Sequence, residues 1–182
     1  MMKSLFGIIF TAAIVCAAAG VLSAGAAKKP VQINLKSPSF TNMGAIPVTF
    51  SCDGSDIPPA LYWYPAPKGV KSYVLICDDP DAPGGTWVHW VLYNIPPTAT
   101  NTTQGMADKS KYNNGMMSAK NSWGAFGYGG PCPPSGTHRY FFKLYALDIA
   151  PKMPMGSSLS QIKKAMKGHI IGYGELIGTF KR

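Results

Sequence analysis

The chain has 182 residues, with 17 Lys and Arg against 8 Asp and Glu, 46% hydrophobic residues and a net charge of +9. Its lysines are scattered singly apart from Lys28-Lys29 and Lys163-Lys164, with no basic stripe interleaved with stacking aromatics, which argues against nucleic-acid binding. The excess charge reads instead as solubility plus weak attraction to anionic surfaces such as membranes.

Residues 1–26 read as a cleaved signal peptide. Met1-Met2-Lys3 is a short basic opening, Leu5 to Val21 is an apolar alanine-rich run, and Ala24-Gly25-Ala26 is a small-x-small cleavage site. An uncleaved anchor is the competing reading, since the run is about as long as a short membrane span. Cys16 follows Val15, where a lipoprotein signal needs a small residue. Export to a bacterial periplasm or beyond is expected. Residues 27–182 then form one domain with sixteen basic and eight acidic side chains, long enough to bury about 70% of its unfolded surface.

Strand-like runs follow: Val31–Leu35, Ile46–Cys52, Leu61–Tyr64, Ser72–Cys77, Trp87–Asn94, Tyr140–Asp148 and Ile171–Phe180. They are rich in Val, Ile, Tyr, Phe and Trp and bounded by Gly, Pro, Asn and Asp. The runs beginning at Trp87 and Tyr140 are apolar at nearly every position, which predicts central strands buried on both faces. Between them, Pro96 to Gly136 is long and irregular, as binding loops are; its Trp123, Phe126 and Tyr128 argue against disorder. One helix is predicted from the capping box Ser158-Leu159-Ser160-Gln161. Leu159, Ile162, Met166 and Ile170 share its apolar face, and Gly168 and Gly172 end it. The fold class is mainly β, a β-sandwich with one helix on its edge.

Cys52, Cys77 and Cys132 remain after the leader. Cys77 sits in an apolar run, as a buried free thiol does. Cys52 and Cys132 lie in loop contexts, and in an oxidising compartment they are predicted to pair. That bridge would close a loop of roughly 80 residues and contribute about 4–5 kcal/mol in the chain-entropy account.

The stretch Cys77-Asp78-Asp79-Pro80-Asp81 concentrates three of the eight carboxylates, and like charges that close resist dehydration. They face water on a turn or line something that wants them. Of the three histidines, His169 near the helix end suits the helix dipole. His89 and His138 sit at or inside predicted central strands, beside an Asp-Pro-Asp loop and a Gly/Pro loop, and convergence on one cleft is expected. Zinc would need His89, His138 and one of Cys77, Asp79 or Asp81, but no H-E-x-x-H or Cys-x-x-Cys spacing accompanies them. Calcium lacks its run of oxygen ligands, a serine hydrolase its nucleophile elbow, and no phosphate loop or dinucleotide fingerprint is present. No metal and no cofactor is expected. What remains is a small-ligand pocket in which imidazoles, the Tyr140 phenol and backbone N–H groups of Gly129–Gly136 cradle an anion. Aspartates beside it would orient the imidazoles or meet the cationic part of a zwitterion.

Asp79-Pro80-Asp81-Ala82-Pro83, Trp87-x-His89-Trp90 and Gly130-Pro131-Cys132-Pro133-Pro134-Ser135-Gly136-Thr137-His138-Arg139-Tyr140, in this order, resemble the phosphatidylethanolamine-binding protein family. The similarity is greatest to its bacterial Raf-kinase-inhibitor-like branch and spans residues 27–182, including Cys52-Asp53-Gly54 and Glu175-Leu176-Ile177-Gly178-Thr179. The resemblance implies a non-catalytic protein with a small anion pocket for phosphate- or carboxylate-type ligands such as phospholipid headgroups. Carried over by position, the pocket would comprise Asp79, Asp81, Trp87, His89, Gly130, Pro134, His138 and Tyr140. Arg139 is expected to pair with a carboxylate such as Asp81 and hold the loops. The implied partners are phosphate or phosphoethanolamine headgroups, with peripheral membrane contact, a protein partner or a homodimer left open. The last strand runs straight to Arg182, without the C-terminal helix that helps gate the eukaryotic pocket, so kinase inhibition is not expected to carry over. Two further readings stand beside the binding one: a secreted inhibitor of a protease or other protein, and a hydrolase using His89 or His138 as general base.

Overall fold

The computed structural model describes residues 29–182, and the predicted leader, residues 1–26, lies outside them. Among the described residues, ten strands form two sheets and one α-helix lies beside them. The strands are β1 (Val31–Gln32), β2 (Asn34–Lys36), β3 (Gly44–Ala45), β4 (Leu61–Tyr64), β5 (Ser72–Asp79), β6 (Trp87–Ile95), β7 (Asn101–Thr102), β8 (Met117–Ser118), β9 (Thr137–Leu147) and β10 (Ile170–Lys181). The large sheet runs β1-β10-β9-β5-β6-β8, with β3 also on β10, and a small sheet runs β2-β4-β7. The long antiparallel pairs β10–β9–β5–β6 form its centre. This is the expected mainly-β sandwich.

Sequence dictates which strands lie centrally. All eight residues of β5 are buried, as is the middle of β6, which suits a run apolar on both faces. One face packs Tyr73, Leu75, Trp90, Tyr140 and Phe142 against Leu61 and Trp63 of the small sheet. The other packs Val74, Ile76, Val91 and Tyr93 against Ile162 and Met166 of helix α1 (Leu159–Met166). The helix starts where predicted: Ser158 Oγ accepts from the Gln161 N–H at 3.3 Å, and Gln161 Oε1 accepts from the Ser158 N–H at 2.8 Å.

Several boundaries differ from the sequence reading. Ile46–Cys52 is not a strand: Val48–Phe50 is a 3-10 turn. Pro47 lacks an N–H and sets φ at −58°, and Ser51 donates through its hydroxyl to the Val48 carbonyl at 2.9 Å, which curls the chain. Val31–Leu35 divides, because β1 joins the large sheet and β2 the small one, with buried Ile33 at the crossing. The helix stops at Met166, with Gly168 at φ 83°; Ile170 and Gly172 belong to β10 instead. His169 therefore caps no helix, and its Nδ1 meets Asp148 Oδ1 at 2.9 Å.

Candidate functional site

Three neighbouring central strands deliver the polar residues singled out in the sequence. Asp78 and Asp79 close β5, Trp87 and His89 open β6, and His138 to Tyr140 open β9. Side chains alternate along a strand, so the clustered aspartates separate. Asp78 faces the helix side, where both its oxygens accept from Lys143 Nζ, at 2.7 and 2.9 Å. Asp79 faces the other side: Oδ2 lies 2.8 Å from His138 Nδ1, and Oδ1 accepts the Asp81 N–H at 2.8 Å. Asp81, in the following turn, is gripped by Arg139. Its Oδ2 accepts from the backbone N–H at 3.0 Å and Nε at 2.9 Å, and Oδ1 from Nη2 at 2.7 Å. That grip, through the side-chain hydrogen bonds first, lowers the Asp81 carboxyl to about 2. Each carboxylate has its own partner, Lys143 for Asp78, the His138 ring for Asp79 and Arg139 for Asp81, which relieves the repulsion their spacing suggests.

A β-bulge brings His89 to the site. Cys77 pairs with Trp90 but Asp78 pairs with Val88, so one step on β5 spans two on β6 and His89 is the extra residue. The bulge turns its ring to the side that carries Tyr140, 5.0 Å away between ring centroids. His89 Nδ1 lies 2.6 Å from the Gly129 carbonyl oxygen. A carbonyl only accepts, so Nδ1 carries the proton and Nε2 is left for a ligand. Burial pushes the His89 imidazole below its usual range, with the Gly129 carbonyl and Asp79 opposing. At neutral pH the ring is therefore uncharged and its Nε2 an acceptor; on acidification it becomes a donor.

Asp79, Trp87, His89, Pro134, His138 and Tyr140 line one hollow of about 240 Å³. Asp79, His89, His138 and Tyr140 are all less than a tenth exposed. Two predicted members stand outside the lining. Asp81 is spent on Arg139. The Gly130 N–H donates to Asp56 Oδ1 at 2.6 Å, and Gly130 lines the neighbouring hollow with Asp56 and Tyr128. A Cβ at Gly130 would collide with the Phe50 carbonyl, so the close approach of that loop to the 3-10 turn requires glycine. Sequence reasoning missed Trp123, which packs edge-on against His89 at 5.0 Å and Trp87 at 5.4 Å. Its only signal was an aromatic inside a loop rich in Gly and Asn; Asn121 Oδ1 holds that loop by accepting the Trp123 and Ala125 N–H groups, both at 3.1 Å.

Tyr140 forms part of the floor. Burial, then the Asp79 charge, raises its phenol well above the usual range, and a nearby Cys132 backbone group offsets only part of this. The hydroxyl thus stays protonated, yet it is buried without a hydrogen-bond partner. Cys52 and Cys132 are joined in a disulfide with Cα atoms 5.5 Å apart. It ties the loop bearing Pro133 and Pro134 to the 3-10 turn. Cys77 is free and buried, its thiol pushed up by burial first and then by Asp78.

Residues 36–181 match the profile of the family described as phosphatidylethanolamine-binding protein. The chain belongs to the phosphatidylethanolamine-binding protein family. A relative from Methanothermobacter thermautotrophicus, named as a UPF0098 protein, is 46% identical over 150 residues, covering 82% of this chain and 99% of its own. A Mycobacterium tuberculosis protein named as a lipoprotein, LppC, is 40% identical over 151 residues, 82% of this chain and 72% of that one. Among solved structures, a Chlamydia trachomatis homologue of this family, CT736, superposes with a TM-score of 0.76 at 37% identity, over 83% of this chain and 98% of its own. Escherichia coli YbcL, described as a member of the mammalian family, gives 0.75 at 29% identity, over 82% and 98%. Phosphatidylethanolamine-binding family members are generally non-enzymatic binding proteins, and ligand binding is the functional class that follows.

Proposed function

We propose that the hollow holds a phosphate- or carboxylate-type headgroup, with zwitterionic phosphoethanolamine as its best match, and releases it unchanged. The observation that carries this reading is the Tyr140 hydroxyl, a buried protonated donor with no partner. Leaving such a group unmatched costs on the order of 1–3 kcal/mol, a penalty that an incoming acceptor oxygen removes. Beside it, His89 Nε2 accepts a hydrogen from a protonated phosphate oxygen at neutral pH and donates to an anionic oxygen once the ring is protonated. The Asp79 carboxylate, bonded to the His138 ring, can meet an ammonium group. At about 240 Å³ the hollow suits a headgroup rather than a drug-sized molecule. Trp87 and Trp123, 37% and 49% exposed at its mouth, are suited to the headgroup layer of a bilayer, so the bound group can belong to a lipid in a membrane surface.

The His138–Asp79 contact also has the form of an oriented general base, which is what favours the hydrolase reading. The lining offers it no free serine, threonine or thiol: its cysteine, Cys132, is in the disulfide and the Tyr140 phenol is held protonated. Calorimetric titration with phosphoethanolamine and inorganic phosphate separates the readings. Saturable binding that His138→Ala weakens, with the ligand recovered intact, supports the receptor. Phosphate release from a phosphoester, lost in the same variant, would overturn it. The disulfide and the lipoprotein-named relative support export by the predicted leader. Fractionation of the native cell, finding the mature form starting near residue 27 outside the cytoplasm, is the expected result.

A further inference from the structure

Strand β6 carries a second bulge at its other end. Tyr73 pairs with Ile95 and Leu75 with Leu92, so two steps on β5 span three on β6. Within that surplus, Asn94 takes the left-handed conformation, φ 53°. Bulges mark places where a side chain is re-aimed beside a site. The first one serves the headgroup hollow. Asn94 lies five residues further along the strand than His89, about 16 Å at the rise of a strand per residue, and it borders a larger cavity of about 460 Å³.

That cavity has an apolar wall made by Ile95, Pro96, Met117 and Met153, and three lysines, Lys71, Lys111 and Lys152, with no carboxylate in the lining. Lys152 is itself held at a left-handed φ of 46°. Asn94 braces the wall, its Nδ2 donating to the Met153 carbonyl at 2.9 Å, while its Oδ1 is buried without a partner.

The protein's charge distribution sharpens the contrast. All eight carboxylates are engaged elsewhere. Asp53, Asp78, Asp79, Asp81 and Asp148 pair with Arg182, Lys143, His138, Arg139 and His169. Asp56 and Asp108 accept the Gly130 and Tyr128 N–H groups, and Glu175 the Tyr173 hydroxyl. Among the described residues, none of the three cavity lysines forms an ion pair. Three exposed lysines without a protein ion pair thus border an apolar wall, a combination that matches an anion with an apolar body.

We propose that this cavity is a second binding site, for an amphipathic anion: a carboxylate, sulfate or phosphate head on a short aliphatic or aromatic body. The lysines receive the head and the Met117–Met153 wall receives the body. The site acts independently of the headgroup hollow, since it shares no lining residue with it.

Octanoate, octanol and octyltrimethylammonium, each below micelle formation, test this by calorimetry and by the methionine methyl resonances. Octanoate is expected to bind saturably, to shift the Met117 and Met153 methyls, and to weaken as salt rises. Each Lys→Gln change at 71, 111 or 152 lowers its affinity by about two- to fivefold, as partly solvated ion contacts do. The triple variant loses roughly tenfold or more. In His138→Ala, which alters only the first hollow, the octanoate-induced shifts of the Met117 and Met153 methyls are retained with the same midpoint. Octanol binding as tightly as octanoate overturns the proposal, as do methyl shifts that persist in the triple variant or that are absent from Met117 and Met153. Binding to anionic vesicles with no octanoate binding also overturns it, and assigns the lysines to a flat surface patch. Should the triple variant not fold, the salt dependence and methyl shifts of the parent protein decide alone.

Discussion

Two histidine–aspartate pairs of nearly the same length hold different places in this molecule. His138 and Asp79 meet at 2.8 Å with side chains 10% and 4% exposed. His169 and Asp148 meet at 2.9 Å with side chains 43% and 47% exposed. Contact distance does not separate them; water does. In the buried pair, a lost partner leaves a polar group that little solvent reaches. In the exposed pair water replaces either partner. The first therefore holds a site in place, and the second decorates the joint between the helix and β10.

The sharpest break in the comparison is the same substitution made twice. Asp79→Asn removes the carboxylate charge and leaves a single oxygen to serve two contacts, so either the His138 ring or the Asp81 N–H loses its acceptor to an NH2 group. A cost of about 2–4 kcal/mol is expected, or roughly 5–15 °C in thermal midpoint, together with loss of phosphoethanolamine binding. Equal melting of Asp79→Asn and Asp148→Asn would show that burial is not what distinguishes the pairs.

His89, buried but bonded to a carbonyl instead of a carboxylate, sharpens the lesson through pH. Its folded value lies below the unfolded one near 6.5. Its contribution to stability is thus full above about pH 6.5 and is lost as pH falls below the unfolded value. A bound anion favours the cation, so phosphoethanolamine should move the His89 titration upward in an NMR pH series and bind more tightly toward pH 5.5. An unmoved resonance would exclude His89 from contact with the charge.

Asp81 with Arg139 lies between the extremes, at 27% and 49% side-chain exposure. The Asp81 carboxyl sits at about 2 in the fold and at about 3.9 when unfolded. Its contribution is therefore complete above about pH 4 and is lost as pH falls through about 2. In urea denaturation, Arg139→Ala should be less stable than the parent protein at pH 7, by less than Asp79→Asn, and the gap should shrink toward pH 2.5. The smallest effect is expected of Asp148→Asn, within about 0.5 kcal/mol and vanishing in high salt.

The fold was legible where one physical cause acted alone. The continuous apolar runs of β5, β6 and β9 could be satisfied only between two packed faces. The Ser158 capping box determined a helix start without help from the rest of the chain. What was hidden depended on partners far along the sequence. Val31–Leu35 carries no mark of the exchange between sheets at Ile33, because that depends on where β4 and β10 lie. Period-two alternation would put His89 on the helix side with Val91, and only the register against β5 reveals the bulge that reverses it. Asp81 and Asp79 look alike in sequence; Arg139, on another strand, claims one and leaves the other in the hollow. Trp123 reached the mouth through loop hydrogen bonds that no periodicity announces.

The last residue has a practical bearing. The backbone of Arg182 exchanges hydrogen bonds with Gly136 at 3.0 and 3.1 Å, and its guanidinium reaches Asp53 at 3.0 Å. It buckles the proline loop to the neighbouring turn from outside, in parallel with the disulfide. An affinity tag or reporter fused after Arg182 would therefore emerge at the rim of the hollow lined by His89 and His138 and pull on that buckle. Handles for immobilisation or labelling belong ahead of β1, where the chain enters at the far side of β10.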